Sequence, residues 1–498
     1  MKKIILLIIL VPTFLLCQPK EEVRAVWLTT AFGLDWPKSY NKEIQKEEII
    51  DILDELKEAN FNTIMLQVRA RGDLIYPSKY EPWAKSLTGK LGKNPGYDPL
   101  KFIIEEAHKK GMEVHAWWNV YKVYGKGIPS ESFPEHVVLK YPNLCREYHD
   151  EWWMDPGIPE VRKYLLKVVM EMVRNYDIDG IHLDYVRYPN KDFVDDNTYK
   201  LYGNNEDKSD WRRDNITKFV ESLYDSLQAV KPYIKLGCTP IGIYKNTGNM
   251  HSWEAYYDTF QDPVKWIKDK KLDYISPQTY WKINSPPYYN LVIKNWEKII
   301  DKKHIYPGIA AFQLNNYHEN WKAEEILSQI DTLREQKIQG EVFFRTEDLI
   351  NNEKNILTLI RQSKFIYPAA IPPMPWKNNV KPLPPTELTS LKSPDKELEL
   401  YWKNPSQLIE GDTAICINIY ASSRYPVDIS DPKNILMLRV PAYKNSIILD
   451  LHALPDNKYY LVITALNRNN NESIPSNTTI FTIEPYINPV AIAKGQKE

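Results

Sequence analysis

An aspartate at the end of a short apolar segment is the residue best placed to do chemistry in this chain. Residues 180–183 read as a buried strand, Asp184 follows directly, and Arg187 lies three positions further on. A strand that is apolar along its length and acidic at its carboxyl end is how a barrel enzyme presents a catalytic group. Asp184 is therefore the first candidate for a nucleophile or a base, and Arg187 or Arg69 could keep it ionised through a nearby positive charge.

One reaction that a carboxylate at a strand end could catalyse is cleavage of a glycosidic bond. This reaction needs a second carboxyl group, because one group protonates the leaving oxygen while the other attacks the sugar or activates water. Asp73 follows the second predicted strand, close to Arg69 and Arg71, and is the first choice for this partner. Glu347, after the last predicted strand, is the second choice. An acidic residue in the first turn of a helix is also favourable by itself, so a structural role for Glu347 stays open.

Further polar and aromatic side chains follow the predicted strands at the same end. Polyhydroxyl ligands need many directional hydrogen bonds, and aromatic rings can stack on the faces of sugar rings. Structural roles stay open for Asp35, which could order a turn, and for the two histidines, which are more often packed than catalytic. No metal-ligand spacing is present and no cofactor is expected. The expected substrate-binding residues are Asp35, Trp36, Arg69, His115, Trp117, Asn119, His182, Arg187, Gln278, Tyr280 and Trp281.

The segments that carry these side chains alternate between strand-like and helix-like patterns from residue 22 to about residue 363. Alternating buried strands and helices imply parallel pairing, and eight such units predict an α/β fold, a (β/α)8 TIM barrel. No glycine-rich phosphate loop follows the first strand, which disfavours an open doubly wound sheet. The predicted strands are residues 23–28, 63–68, 113–119, 180–184, 235–240, 274–278, 304–310 and 340–344.

A second unit is predicted after the barrel, which we place at residues 21–366. Residues 367–385 are rich in proline and predict an extended, semi-rigid linker. Residues 386–486 then show short alternating segments typical of a small all-β sandwich. Trp402, Tyr459 and Tyr460 resemble the buried markers of a fibronectin type III module, and residues 487–498 are expected to form a tail.

The first 17 residues have the pattern of an export signal, with Lys2 and Lys3 followed by an apolar run too short to span a bilayer. Cys17 is a possible lipid anchor, although Leu16 stands where such signals prefer a small residue. The chain is therefore expected to be exported, as a periplasmic, outer-membrane-anchored or secreted protein. A formal net charge of −1 argues against nucleic acid as a partner, which would usually require a basic surface.

Several separated motifs between residues 21 and 363 resemble the glycosyl-hydrolase-like family numbered ten, a bacterial cell-envelope group. The resemblance implies a (β/α)8 barrel and hydrolysis of glycosidic bonds in envelope glycans, including peptidoglycan strands stripped of peptides. Asp184 carries over from the family better than any partner carboxylate. The motifs are EVRAVWLTT at 22–30, LDWP at 34–37, QVRARGD at 67–73, EPW at 81–83, LTG at 87–89, HAWWN at 115–119, GIHLD at 180–184 and PQTYW at 277–281.

Residues 179–184 are also similar to the fourth-strand signature of chitinase-type barrels, which carry a catalytic glutamate two residues after the last aspartate. Val186 occupies that position here, so the substrate-assisted mechanism of that group lacks its acid. The leading hypothesis is an exported glycoside hydrolase that cleaves an envelope glycan or another polysaccharide with paired carboxylates. The alternative is a non-catalytic carbohydrate-binding protein, which predicts that no two carboxylates meet at the barrel mouth. The oligomeric state stays open.

Overall fold

The computed structural model describes residues 18–483 except 301, 393–396, 410, 452–453 and 456–457. The predicted export signal and the predicted tail therefore lie outside the described residues. The strands are β1 Val23–Leu28, β2 Thr63–Arg69, β3 Glu113–Asn119, β4 Lys122–Tyr124, β5 Cys145–Tyr148, β6 Glu151–Met154, β7 Gly180–Asp184, β8 Lys235–Cys238, β9 Tyr274–Ile275, β10 His304–Ile305, β11 Gly308–Ala310, β12 Gly340–Phe344, β13 Thr386–Lys392, β14 Glu397–Lys403, β15 Cys416–Ser422, β16 Ile435–Pro441, β17 Ser446–Asp450, β18 Lys458–Leu466 and β19 Thr479–Thr482. The α-helices are α1 Lys42–Glu58, α2 Pro99–Lys109, α3 Val137–Lys140, α4 Pro159–Asn175, α5 Asp196–Tyr202, α6 Lys208–Val230, α7 Ala255–Asp258, α8 Pro263–Lys268, α9 Tyr289–Ile299, α10 Ala323–Glu335, α11 Thr346–Ile350 and α12 Ile356–Ser363.

In the described part of the chain, nine strands form one curled parallel sheet in the order β10-β9-β8-β7-β3-β2-β1-β12-β11. The predicted parallel pairing is confirmed, with Val26 opposite Ile64 and Asn119 opposite Asp184. The predicted strand at 304–310 is instead two short pieces, β10 and β11, which pair with β9 and β12 at opposite ends of the sheet. The fold is therefore α/β, with a curled parallel sheet.

Both faces of this sheet are buried, which explains why its strands are largely apolar and do not alternate with exposed polar residues. In β1, Val26 and Leu28 pack with the surrounding helices in the larger hydrophobic core. The alternate residues Val23, Ala25 and Trp27 point into the curl, in a smaller cluster with residues from other strands. Some helices begin at a side-chain cap; in α2, for example, Asp98 accepts the Lys101 backbone N–H at 3.1 Å.

A small antiparallel sheet, in the order β4-β6-β5, lies in the segment between β3 and β7. No strands are predicted in this segment from the sequence. Strands β5 and β6 are joined by the two-residue turn His149-Asp150, where φ is 46° and 62°. Positive φ at both positions is the requirement of a tight type I′ hairpin turn. This insertion carries Lys122, Tyr124 and Glu151 to the carboxyl ends of the parallel strands.

The C-terminal module, residues 386–483 as described, contains two antiparallel sheets in the orders β13-β14-β17 and β16-β15-β18-β19. Leu400, Trp402, Ile417 and Leu461 are buried in its own hydrophobic core. The alternating pattern predicts strands at 398–402, 415–421, 436–439, 446–449, 459–465 and 478–482, and strands β14 to β19 confirm them. Strand β13 was not predicted. The segment before β13 is not free of the parallel sheet, because the Trp376 indole donates to Asp273 at 3.0 Å.

The module also contacts the amino-terminal end of the parallel sheet through buried polar groups. Arg439, at the end of β16, lies 3.5 Å from Glu113 and 3.8 Å from Asp179. The Asn470 side chain donates to Glu113 at 2.9 Å. Arg468 adds an ion pair with Asp177 at 2.8 Å.

Arg439→Gln should lower the free energy of unfolding by about 3 kcal/mol, because breaking a buried ion pair leaves its partners uncompensated. Urea unfolding followed by circular dichroism measures this change. The control is Arg361→Gln, which removes an ion pair with Glu58 whose side chains are 55% and 67% exposed, and no measurable change is expected. Equal losses in the two variants would contradict the interpretation of Arg439 as a buried, stabilising contact.

Candidate active site

A cavity of about 450 Å³ opens at the carboxyl ends of the parallel strands. Five residues predicted from the strand ends line it, namely Trp117, Asn119, Asp184, Gln278 and Tyr280. The carboxyl ends of parallel strands meet at one edge, which is why side chains distant in the chain converge here.

Asp184 is the last residue of β7 and is 6% exposed. One of its oxygens accepts the Tyr185 backbone N–H at 2.6 Å. Burial raises the pKa of Asp184 to about 6, although Arg187 and Lys122 act in the opposite direction. Tyr185 has a φ of 49°, a conformation that bulky residues rarely adopt, and such strain is concentrated at functional sites.

A second carboxylate, Glu151, lines the same cavity from the insertion. It forms an ion pair with Lys122 at 2.5 Å and accepts the Trp153 indole N–H at 3.2 Å. Among the described lining residues, Asp184 and Glu151 are the two carboxylates. Glu151 was not predicted from the sequence, and the signal that could have found it is the two-residue turn His149-Asp150 between segments that contain the strand-favouring residues Tyr148 and Trp152.

Aromatic rings form much of the cavity wall. The Arg71 guanidinium lies between the rings of Phe32 and Tyr124, at 4.4 and 4.3 Å from their centroids. Tyr280 stacks on Phe344 with the ring centroids 5.9 Å apart. Such flat apolar surfaces beside charged and amide groups suit a ligand that has both ring faces and hydroxyl groups.

The two predicted partner carboxylates are not brought together with Asp184. Asp73 is buried in its own loop, where it accepts the Arg71 backbone N–H at 3.0 Å and does not line the cavity. Glu347 forms an ion pair with Lys38 at 2.5 Å, also outside the cavity lining.

Other predicted binding residues support the site from outside. Arg69 is fully buried in an ion pair with Glu81 at 2.6 Å, so it is not free to bind a ligand. Asp35 accepts the Thr29 backbone N–H at 2.7 Å and orders the loop after β1. Burial raises the pKa of Asp35 to about 6. Neither Arg69 nor Asp35 lines the cavity.

The remaining predicted residues also lie outside the cavity lining. Trp36 is buried in the core, and the Trp281 ring packs against Gly242. The Arg187 guanidinium lies over the Trp253 ring, 4.8 Å from its centroid. Its charge nevertheless opposes the upward pKa shift of Asp184, so it acts on the site electrostatically.

The predicted histidines are buried inside the curl of the sheet, beneath the cavity. His115 and His182 both contact the Tyr274 hydroxyl, at 2.8 and 3.2 Å. Burial lowers the pKa of His182 to about 3.

No group of three or more His, Cys, Asp or Glu side chains among the described residues could hold a metal ion. No helix within this part of the chain combines the length and apolar character needed to cross a membrane.

Asp184→Asn should make the folded protein more stable above pH 6. Because the pKa of Asp184 is raised from 3.8 to about 6, the folded state binds more protons than the unfolded state between these values. Stability therefore falls as the pH rises through this window. Asparagine removes that cost, so the variant should gain about 2 to 3 kcal/mol at pH 7.5 and nothing near pH 4. Thermal unfolding across this pH range measures the difference.

The control for this measurement is Asp179→Asn. Burial raises the pKa of Asp179, but His108 and Arg439 outweigh it and hold the pKa below its usual value. Its carboxylate therefore stabilises the fold, and the variant should lose stability at pH 7.5. A loss of stability at pH 7.5 in Asp184→Asn as well would contradict the raised pKa of Asp184.

Comparison with known proteins identifies the family. A family model described as glycosyl hydrolase-like 10 matches residues 22–323. The glycosyl hydrolase YngK of Bacillus subtilis strain 168 is 32% identical over 494 residues, covering 95% of this chain and 96% of that protein. The glycosyl hydrolase DigH of Escherichia coli strain K12 is 33% identical over 374 residues, covering 67% of this chain and 85% of that protein.

Among solved structures, the chain is similar to the glycoside hydrolase domain of PgaB from Bordetella bronchiseptica. It is 13% identical, with a TM-score of 0.49, and the alignment covers 70% of this chain and 99% of that one. The family match spans more than half of the chain, and two relatives exceed 30% identity over two thirds of it or more. The chain therefore belongs to the glycosyl hydrolase-like 10 family.

Proposed function

We propose that the cavity is the active site of a glycoside hydrolase that uses Asp184 and Glu151 as its carboxyl pair. The observation that carries the proposal is their position in one aromatic-walled cavity, at the end of the sheet where barrel enzymes place their catalytic groups. The family assignment supports a glycan-acting hydrolase of this kind.

Asp184 is the proton donor in this mechanism. A carboxyl group with a pKa near 6 holds a proton at mildly acidic pH and gives it to the leaving glycosidic oxygen as the bond to carbon breaks. This role differs from the nucleophile or base expected from the sequence, because burial outweighs the opposing charge of Arg187. Glu151 then attacks the sugar carbon, or takes a proton from the water that attacks it.

The substrate that fits this wall is a glycan of the bacterial envelope, such as peptidoglycan strands, or another polysaccharide. The rings of Phe32, Tyr124 and Tyr280 are suited to sugar faces, and the side-chain amides of Asn119 and Gln278 are suited to hydroxyl groups.

The architecture that we infer for the larger unit, residues 21–366, is a closed (β/α)8 barrel. Strands β10 and β11 are consecutive in the chain yet pair with opposite ends of the sheet, which supports closure. We infer that residues 367–385 connect this barrel to a fibronectin type III-like module at 386–486. Three and four antiparallel strands in two sheets support that assignment.

Export of the protein is part of the proposal and rests on the sequence of residues 1–17. A lipid anchor at Cys17 would place the enzyme on the envelope, and cleavage without lipidation would release it to the periplasm or the medium. Metabolic labelling with a palmitate analogue, compared with a Cys17→Ala variant, separates these two outcomes.

Asp184→Asn and Glu151→Gln should each lower kcat/KM at least about a thousandfold, because each removes one half of the acid–base pair. The matched controls are Asp73→Asn and Glu347→Gln, whose turnover should stay within about threefold of wild type. Sugar release from peptide-free peptidoglycan strands and from a polysaccharide panel measures these rates, with circular dichroism to confirm folding.

Activity should also fall as the pH rises above about 6, tenfold per unit once Asp184 has lost its proton. Rising activity through the same window would instead assign Asp184 as the base. Binding without cleavage by the wild-type protein would favour the non-catalytic carbohydrate-binding protein.

A further inference from the structure

A chain of hydrogen bonds runs through the interior of the curled sheet, beginning at the cavity. The Trp27 ring lines the cavity, and its indole N–H donates to Nε2 of His182 at 2.9 Å. Nδ1 of His182 lies 3.2 Å from the Tyr274 hydroxyl, which lies 2.8 Å from Nδ1 of His115. Nε2 of His115 lies 3.1 Å from a carboxylate oxygen of Glu113.

With a single proton on each imidazole, one assignment of the protons satisfies every contact in this chain. An indole can only donate, so Nε2 of His182 accepts, and the neutral imidazole carries its proton on Nδ1. His182 then donates to the Tyr274 oxygen, the Tyr274 hydroxyl donates to His115, and His115 donates to the Glu113 carboxylate. In this assignment each hydrogen bond between Trp27 and Glu113 points toward the carboxylate, and the Tyr274 hydroxyl also lies 3.8 Å from the Met65 sulfur.

The carboxylate at the far end is held partly by the C-terminal module. Glu113 is 1% exposed and lies 2.5 Å from the Lys235 ammonium. The module adds Asn470, whose side chain donates to Glu113 at 2.9 Å, and Arg439, which lies 3.5 Å away. Burial raises the pKa of Glu113, but Lys235, His115 and Arg439 outweigh it and hold the pKa well below its usual value. A buried charge of this kind is stable only while its partners remain in place.

We propose that Asn470 and Arg439 are positioning residues for the cavity, which hold Glu113 and through this hydrogen-bonded chain orient the Trp27 ring toward the substrate. The contact between Trp27 and substrate rests on the proposed function. The orientation of Trp27 does not rest on the proposed function, because Trp27 has this orientation in the protein without any ligand. The C-terminal module thereby completes the active site from the opposite end of the sheet.

The test uses the full chain with tryptophan labelled with ¹⁵N at the indole nitrogen, in the absence of substrate. The protein contains 15 Trp, and the signal missing from Trp27→Phe assigns Trp27. Asn470→Gly removes the amide but suits the backbone, since φ at this position is 61°. It should shift the Trp27 signal and lower kcat/KM about tenfold, mainly through a higher KM. Tyr274→Phe, which removes the central hydroxyl, should shift the same signal.

Arg468→Ala is the matched control, because Arg468 lies in the same turn and contacts Asp177 across the same interface but touches no member of the chain. It should leave the Trp27 signal and KM unchanged. If Asn470→Gly does not fold, Asn470→Asp replaces it, since aspartate also tolerates positive φ and places a second carboxylate against Glu113.

The proposal is overturned if the Asn470 variant unfolds at a lower temperature while the Trp27 signal stays in place. It is equally overturned if Arg468→Ala moves that signal by the same amount. If the Asn470 variant shifts the Trp27 signal but the wild-type protein cleaves no glycan, the positioning role is supported and only the proposed function is contradicted.

Discussion

A charged group buried inside a parallel sheet must be paired with an opposite charge or with hydrogen-bonding groups. Pairs of this kind lie at both ends of the sheet in this protein. At the amino-terminal end of the sheet, Glu22 is paired with Arg24 and with Arg334 at 2.8 and 2.7 Å. Arg69, the last residue of β2, forms an ion pair with Glu81 in which both side chains are fully buried. Arg24 and Arg69 also donate to backbone carbonyls of other segments, so these charged groups link several parts of the chain.

Asp184 is the contrasting case. It is as buried as the structural charges, but its observed partner is a backbone N–H, and Arg187 acts on it without an ion pair. Its pKa is therefore raised, whereas that of Asp179, at the other end of the same segment, is lowered by His108 and Arg439. The same residue type within one short stretch thus has a lowered pKa at one end and a raised pKa at the other, because only the environment differs. We propose that the first serves stability and the second serves chemistry.

The C-terminal module fits the same constraint. Its Arg439 and Asn470 complete the partners of Glu113, so the module is part of the charge compensation of the parallel sheet rather than an appended unit. Inside the curl, hydrogen bonds through His115, Tyr274 and His182 connect Glu113 to Trp27 at the cavity. In our proposal, the contacts that stabilise the amino-terminal end of the sheet therefore also orient Trp27.

Local patterns in the sequence determined the positions of the parallel strands and of most helices, because burial on both faces and helical periodicity are local signals. They also placed Asp184, Trp117, Asn119, Gln278 and Tyr280 at strand ends, and the parallel arrangement then brought these side chains into one cavity. The strands of the insertion between β3 and β7 were missed, since segments of three or four residues carry little periodicity. Strand β13 was missed because its apolar residues Leu388 and Leu391 are three positions apart, which does not match the two-residue period of a strand.

The identity of the second carboxylate was decided by tertiary structure alone. Asp73 and Glu347 follow strands as Asp184 does, yet the loops turn them toward Arg71 and Lys38, and the hairpin brings Glu151 to the cavity instead. The raised pKa of Asp184 was likewise invisible in the sequence. Burial and the placement of charges from distant segments set both properties, and they exist only once the chain has folded.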